Sequence, residues 1–195
     1  LSDVATDASV RAVIIAANGP AFSSGHDLKE LTARRSDADR GRAYYQKIMR
    51  QCSAMMQQIV MLPKPVIARV HGIATAAGCQ LVASCDLAIA AEGTRFATPG
   101  VNIGLFCSTP MVALSRNVSR KHAMEMLLTG DMIDATRAAD MGLINHVVPE
   151  ETLARATTEL AEKIAGKSSL TLAIGKKAFY EQLEKPLSEA YDFAS

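Results

Sequence analysis

The sequence predicts an α/β core followed by a purely helical tail, and three observations carry that reading. Residues 10–17 (VRAVIIAA), 66–70 (VIARV) and 87–91 (LAIAA) are short, largely apolar runs of the kind that form buried parallel strands. Helical patterns separate these runs, most clearly from Tyr44 onward. After Pro149 no further strand pattern occurs and only helical patterns follow. The chain is therefore divided into an α/β core over residues 1–148 and a helical region over 149–195.

At 195 residues the chain is long enough to bury a substantial core. A net charge of +1 and a charged fraction of 21% argue against nucleic acid or an anionic membrane surface as partner. Apolar residues make up 49%, yet no uninterrupted apolar run reaches membrane-spanning length. No signal-peptide pattern is present, so secretion is not expected. The chain opens on Leu1-Ser2-Asp3-Val4 without an initiator Met, so signals beyond its ends remain open. Cys52, Cys79, Cys85 and Cys107 lack metal-ligand spacing, so no metal site is expected. Three of them lie in apolar surroundings, as reduced thiols do.

In chain order, the strand at 10–17 ends in the turn Asn18-Gly19-Pro20. Small residues follow from Phe22 to Leu28, where Asp27 is placed to cap a short helix through Leu31. Residues 34–42 (RRSDADRGR) are charged and apolar-poor, which predicts a mobile surface loop. The helix from Tyr44 presents Tyr45, Ile48, Met49, Cys52, Met55, Met56, Ile59 and Val60 at spacings of three and four, a core-facing stripe. Pro63 ends it.

The strand at 66–70 leads through His71-Gly72 and the small residues Ala74 to Gly78 into an apolar helix reaching Ala83. A strand that opens a helix through small residues leaves free backbone N–H groups at the helix start. Such groups attract negative charge, and small residues let a substrate approach them. The same pattern also fits a tightly packed junction without chemistry.

Downstream, Arg95-Phe96-Ala97 is a short strand broken by Pro99-Gly100, and residues 101–110 (VNIGLFCSTP) are irregular. Helices are predicted at 111–117 and 121–128. Asp134 caps a helix to Met141 that Gly142 stops in a left-handed conformation. A last strand covers 143–148, and helices cover 151–165, 171–183 and the residues from Leu187. Asp86, Asn102 and Asp131 read as capping or turn residues, His71 and His146 as structural, and His122 as solvated.

Four pieces together resemble the enoyl-CoA hydratase/isomerase family, the crotonase superfamily. They are Ala21-Phe22-Ser23-Ser24-Gly25-His26-Asp27-Leu28; His71-Gly72-Ile73-Ala74-Thr75-Ala76-Ala77-Gly78-Cys79-Gln80-Leu81; Cys85-Asp86-Leu87-Ala88-Ile89-Ala90; and Leu128-Thr129-Gly130 with Asp140-Met141-Gly142-Leu143-Ile144-Asn145 to Pro149. The resemblance covers nearly the whole chain. It implies a spiral of ββα turns and a C-terminal helical region that builds a homotrimer, often paired into a hexamer. It places the family's N-terminal strands and closing C-terminal helix outside these residues. It implies an acyl-CoA thioester substrate, with coenzyme A entering as part of that substrate and no separate cofactor. It implies the cytoplasm for a bacterial source and the mitochondrial matrix for a eukaryotic one.

By the same resemblance, the backbone N–H groups of His26 and Ala77 hold the thioester carbonyl, and Ser24, His26, Asp27, Leu28, Ala77, Gly78 and Pro99 line the CoA thioester site. Preorganised N–H donors aimed at a developing enolate oxygen are worth about 3–4 kcal/mol each. The family's two water-activating glutamates map to Gln80 and Gly100, neither of which can exchange a proton as a carboxylate does. Efficient hydration is therefore not expected. Gly25-His26-Asp27, with Val101-Asn102-Ile103-Gly104, also resembles the acyl-CoA decarboxylase branch, in which an enolate is stabilised without abstraction of a carbon-bound proton. That branch's tyrosine position falls at or near Cys107, a candidate nucleophile, although a Cys in such surroundings is more often core packing. A family member that binds acyl-CoA without turning it over is the other alternative.

Overall fold

The apolar runs become strands in the computed structural model, which describes residues 1–195. Along the chain the elements are α1 (Ser2–Thr6), β1 (Val13–Ala16), α2 (Leu28–Ala33), α3 (Arg42–Met61), β2 (Val66–Val70), β3 (Ile73–Thr75), α4 (Ala77–Ser84), β4 (Leu87–Ala91) and β5 (Arg95–Ala97). Then follow α5 (Ser108–Leu114), α6 (Arg120–Thr129), β6 (Ile133–Asp134), α7 (Ala135–Asp140), β7 (His146–Val148), α8 (Glu150–Ala165), α9 (Ser169–Gln182) and α10 (Leu187–Ala194).

Two sheets result. The first is parallel throughout, in the order β1-β2-β4-β7, with Val13 opposite Val66 and Ile67 opposite Leu87. Its central strands are covered on both faces, so Val66, Ile67, Ala68 and Val70 are all buried. The second runs β3-β5-β6, parallel between β3 and β5 and antiparallel between β5 and β6. β2-β3-α4 and β4-β5-α5 thus repeat one unit: a strand in each sheet, then a helix. The chain is a ββα spiral, as the resemblance implies. Helix α8 lays Leu153 against Ile89 and Ala91 of β4, whereas α9 and α10 bury no residue at all.

Local signals set most boundaries. The Asp27 carboxylate accepts from the N–H groups of Lys29 (2.8 Å) and Glu30 (3.4 Å) and so starts α2. The Asp134 carboxylate accepts from Arg137 N–H at 2.8 Å and starts α7. Several expectations are corrected. Residues 34–42 are not simply a loop: Arg34–Ser36 form a 3-10 turn and α3 already starts at Arg42. Only Cys52, Met56 and Ile59 of the α3 stripe are buried, and Met55 stays 40% exposed. α5 begins at Ser108, because Pro110 fits a first helical turn, where no N–H is required. The last strand shortens to His146–Val148, because the N–H groups of Leu143 (2.9 Å) and Ile144 (3.4 Å) donate back to Ala138 C=O of α7. His122 is half-buried rather than solvated, and its Nδ1 has no partner. Asp86 is no simple cap; its carboxylate lies in a largely buried ion pair with Lys176.

Candidate active site

Residues 22–25 run alongside β3. Ser23 N–H donates to Ile73 C=O (3.0 Å), and Thr75 N–H donates to Ser23 C=O (2.9 Å). This puts the first small-residue junction on top of the second. Gly78 has to be glycine, since a Cβ there would collide with the Ser23 carbonyl. Gly25 lies so close that a Cβ would stand 3.1 Å from Ala76 Cβ and 3.2 Å from Ala77 N. Its φ of +94° is one that glycine adopts without strain.

Ala76, just before α4, has φ +52° and ψ −118°, a conformation that costs a non-glycine residue on the order of 1–3 kcal/mol. Two hydrogen bonds hold it there: Ala76 N–H to Ala97 C=O (2.9 Å) and Gln80 N–H to Ala76 C=O (3.0 Å). The 75–76 peptide is thereby held by its N–H and the 76–77 peptide by its C=O. Ala77 N–H, the first of α4, donates to no protein acceptor, nor does His26 N–H across the junction. Two free backbone donors on touching segments are suited to donate to an oxygen that gains negative charge.

Around this pair the other sequence-picked residues fall as follows. Ser24, Asp27 and Leu28 are exposed along the first junction. Ser24 C=O accepts from Thr75 Oγ1 (3.4 Å), and the Asp27 carboxylate is occupied as the α2 cap. Gln80, only 4% exposed, lies one turn into α4. Its Oε1 is 4.0 Å from Cys52 Sγ, and its Nε2 donates to no protein group. Pro99 and Gly100 are half-buried on a 3-10 turn. No hydrogen bond joins Gln80 to Gly100 or Cys107, whereas the latter two are coupled: Gly100 N–H donates to Cys107 Sγ at 3.3 Å. A Cβ on Gly100 would lie 2.9 Å from that sulfur and 3.0 Å from Leu105 C=O. The thiol therefore fills the space into which a side chain at 100 would project.

Burial pushes the Cys79 thiol up to about 12, with Cys107 adding to the shift. Burial likewise raises Cys85 to about 12; Asp86 adds to this and Lys176 opposes it. Burial also raises Cys52. These three are neutral thiols packed in the core. No cluster of three His, Cys, Asp or Glu side chains is placed to hold a metal ion, and no helix is long and apolar enough to cross a membrane. A cleft of about 390 Å³ between α1 and α9, bordered by Pro63 and Leu170, shares no residue with the two junctions. Sequence reasoning did not find the strain at Ala76 or the Gly100–Cys107 contact, since neither leaves a mark in residue type or spacing.

A family model described as enoyl-CoA hydratase/isomerase matches residues 1–195. The chain is 54% identical to the mitochondrial enoyl-CoA hydratase domain-containing protein 3 of Rattus norvegicus, over 95% of this chain and 60% of the relative. Its identity to the Homo sapiens protein of that name is 51%, over 100% of this chain and 63% of the relative. The chain thus spans about three fifths of the length of these curated relatives. Among solved structures, an enoyl-CoA hydratase of Mycobacterium smegmatis superposes with a TM-score of 0.92 at 52% identity, over 99% of this chain and 73% of that one. The human domain-containing protein 3 gives 0.91 at 52% identity, over 97% and 73%.

Proposed function

The chain belongs to the enoyl-CoA hydratase/isomerase family, and on that premise we propose that it binds an acyl-CoA thioester and holds the thioester carbonyl between the N–H groups of His26 and Ala77. The two donors stabilise an enolate-like intermediate, and Ser24, Asp27, Leu28, Gly78 and Pro99 flank the bound thioester. The observation that carries this reading is the pair of acceptor-free N–H groups on segments brought into contact at Gly25. With Gln80 and Gly100 at the positions of the water-activating carboxylates, the site stabilises charge but moves protons poorly, so hydration is slow. Enolate formation by decarboxylation, which needs no such base, is compatible with the same donors. The helical region 149–195 assembles the chain as a trimer. For a eukaryotic source the compartment is that of the relatives named mitochondrial, and for a bacterial source it is the cytoplasm.

The test is binding of butyryl-CoA against its thioether, S-butyl-CoA, which lacks the carbonyl. The thioester binds more tightly in the parent, and Ala77→Leu, which places bulk over the donor pair, removes that advantage. Equal affinity of the parent for both compounds would sink the carbonyl assignment.

A further inference from the structure

Past the opposite end of α4 from the two junctions, a second polar cluster draws five segments together. Lys176 of α9 donates to Asp86 Oδ2 (2.7 Å), Ile59 C=O (3.0 Å) and Lys64 C=O (3.1 Å). Asp86, just before β4, also accepts from Val66 N–H (2.7 Å) and from the Tyr180 hydroxyl (2.9 Å). The Lys176 and Asp86 side chains are only 9% and 16% exposed. An ammonium has three protons, and all three are used. A cluster this saturated has no proton left to offer a ligand, so it is a fastening rather than a site.

What it fastens is α9. That helix buries no residue, and Leu170, Ile174, Phe179 and Leu183 along and just after it are more than half exposed. Its other polar ties are an exposed ion pair between Arg116 and Glu184 (3.1 Å), just past the helix, and Arg11, which donates to Lys167 C=O (2.6 Å) just ahead of it; Leu172 and Ala173 are half-buried along the cleft facing α1. Exposed pairs of that kind hold little. Helices normally dock by burying an apolar stripe; here the half-buried face carries Leu172 and Ala173 but also Lys176 and Tyr180, and none of its residues packs on the core.

We propose that Asp86, Lys176 and Tyr180 form a polar latch through which α9, with α10 attached, docks on the end of the first sheet, and that this helical pair opens as a unit about residues 166–168 when the latch is broken. Opening is local because the sheet's own apolar core, which runs through Val66, Ala68 and Ala88, involves no α9 residue.

Hydrogen exchange read by mass spectrometry tests this on the full chain at two protein concentrations tenfold apart. Lys176→Met should lower the protection of α9 amides by at least tenfold and leave β2 and β4 within about twofold of the parent. Tyr180→Phe, which removes a single bond to Asp86 and retains the ring, should lower α9 protection by a smaller factor, again selectively. It carries the test alone if Lys176→Met does not fold. Unchanged α9 protection overturns the latch, as does an equal loss in α9 and the sheet. If α9 protection in the parent rises with concentration while neither substitution alters it, assembly rather than the latch holds the helix, and the inference fails.

Discussion

Replacing Gly100 by alanine should destabilise the protein through one identifiable collision. The new Cβ would stand 2.9 Å from Cys107 Sγ and 3.0 Å from Leu105 C=O, both inside ordinary van der Waals contact. The φ of Gly100 is not left-handed, so no backbone strain adds to this. Overpacking a filled site typically costs roughly 1–3 kcal/mol. At about 2–4 °C per kcal/mol for a domain of this size, the thermal midpoint should fall by roughly 2–12 °C. The coupling isolates the cause. In a Cys107→Ala background the sulfur is gone and only the Leu105 and backbone contacts remain, so the same substitution should cost less. The double-mutant cycle should give an interaction on the order of 1 kcal/mol. Calorimetry on the four proteins is the assay. A Gly100→Ala midpoint equal to the parent's, or a cost that Cys107→Ala leaves unaltered, would refute the claim that the thiol occupies the place of a residue-100 side chain.

Three further outcomes follow from the same geometry. Crotonyl-CoA hydration by the parent should lie several orders of magnitude below that of a two-carboxylate relative; Gln80→Glu with Gly100→Glu should raise it only when Cys107→Ala makes room, which a coupled spectrophotometric assay of the double and triple variants would show. Light scattering at micromolar concentration should give a trimeric mass, and a monomeric mass would remove the proposed role of the 149–195 helices. Stability should fall as pH rises from about 9 towards 12. Cys79 and Cys85 keep their protons in the folded state up to about 12, whereas unfolded thiols ionise near 9, so each thiol's contribution is complete below 9 and fades at roughly 1.4 kcal/mol per pH unit above it. Cys79→Ala should flatten a plot of thermal midpoint against pH, and an unchanged slope would count against burial as the cause.

How much was legible in the sequence depended on whether the cause was local. The strands at 66–70, 87–91 and 95–97 appear at those residues; for the first two, a largely apolar or β-branched run has few other ways to be buried. The Asp27 and Asp134 caps were readable because a cap is a short-range bond between a side chain and the next turn. β3 was not, since Ile73-Ala74-Thr75 has no alternation long enough to register, and only pairing with β5 makes it a strand. The Asp86 latch was equally hidden, because its partner Lys176 is 90 residues away. Within the site, the glycines and alanines announced a close approach of backbones. The partner of that approach, Gly25 against Ala76 and Ala77, emerges only from the fold.

This division bears on how the proposed function would persist while its chemistry changes. The two donors belong to the backbone. Their placement rests on the pairing of Ser23 with β3, on Gly78 beneath the Ser23 carbonyl and on Gly25 against the 76–77 peptide. Substitutions elsewhere leave them intact as long as the spiral folds. Proton transfer would rest instead on side chains, and in the proposed site neither Gln80 nor Gly100 offers a carboxylate. The Cys107 sulfur fills the space beside Gly100, so a side chain introduced at that position alone would meet it. On the proposed function, carbonyl binding and proton transfer are thus separable, because the first depends on the backbone and the second on side chains.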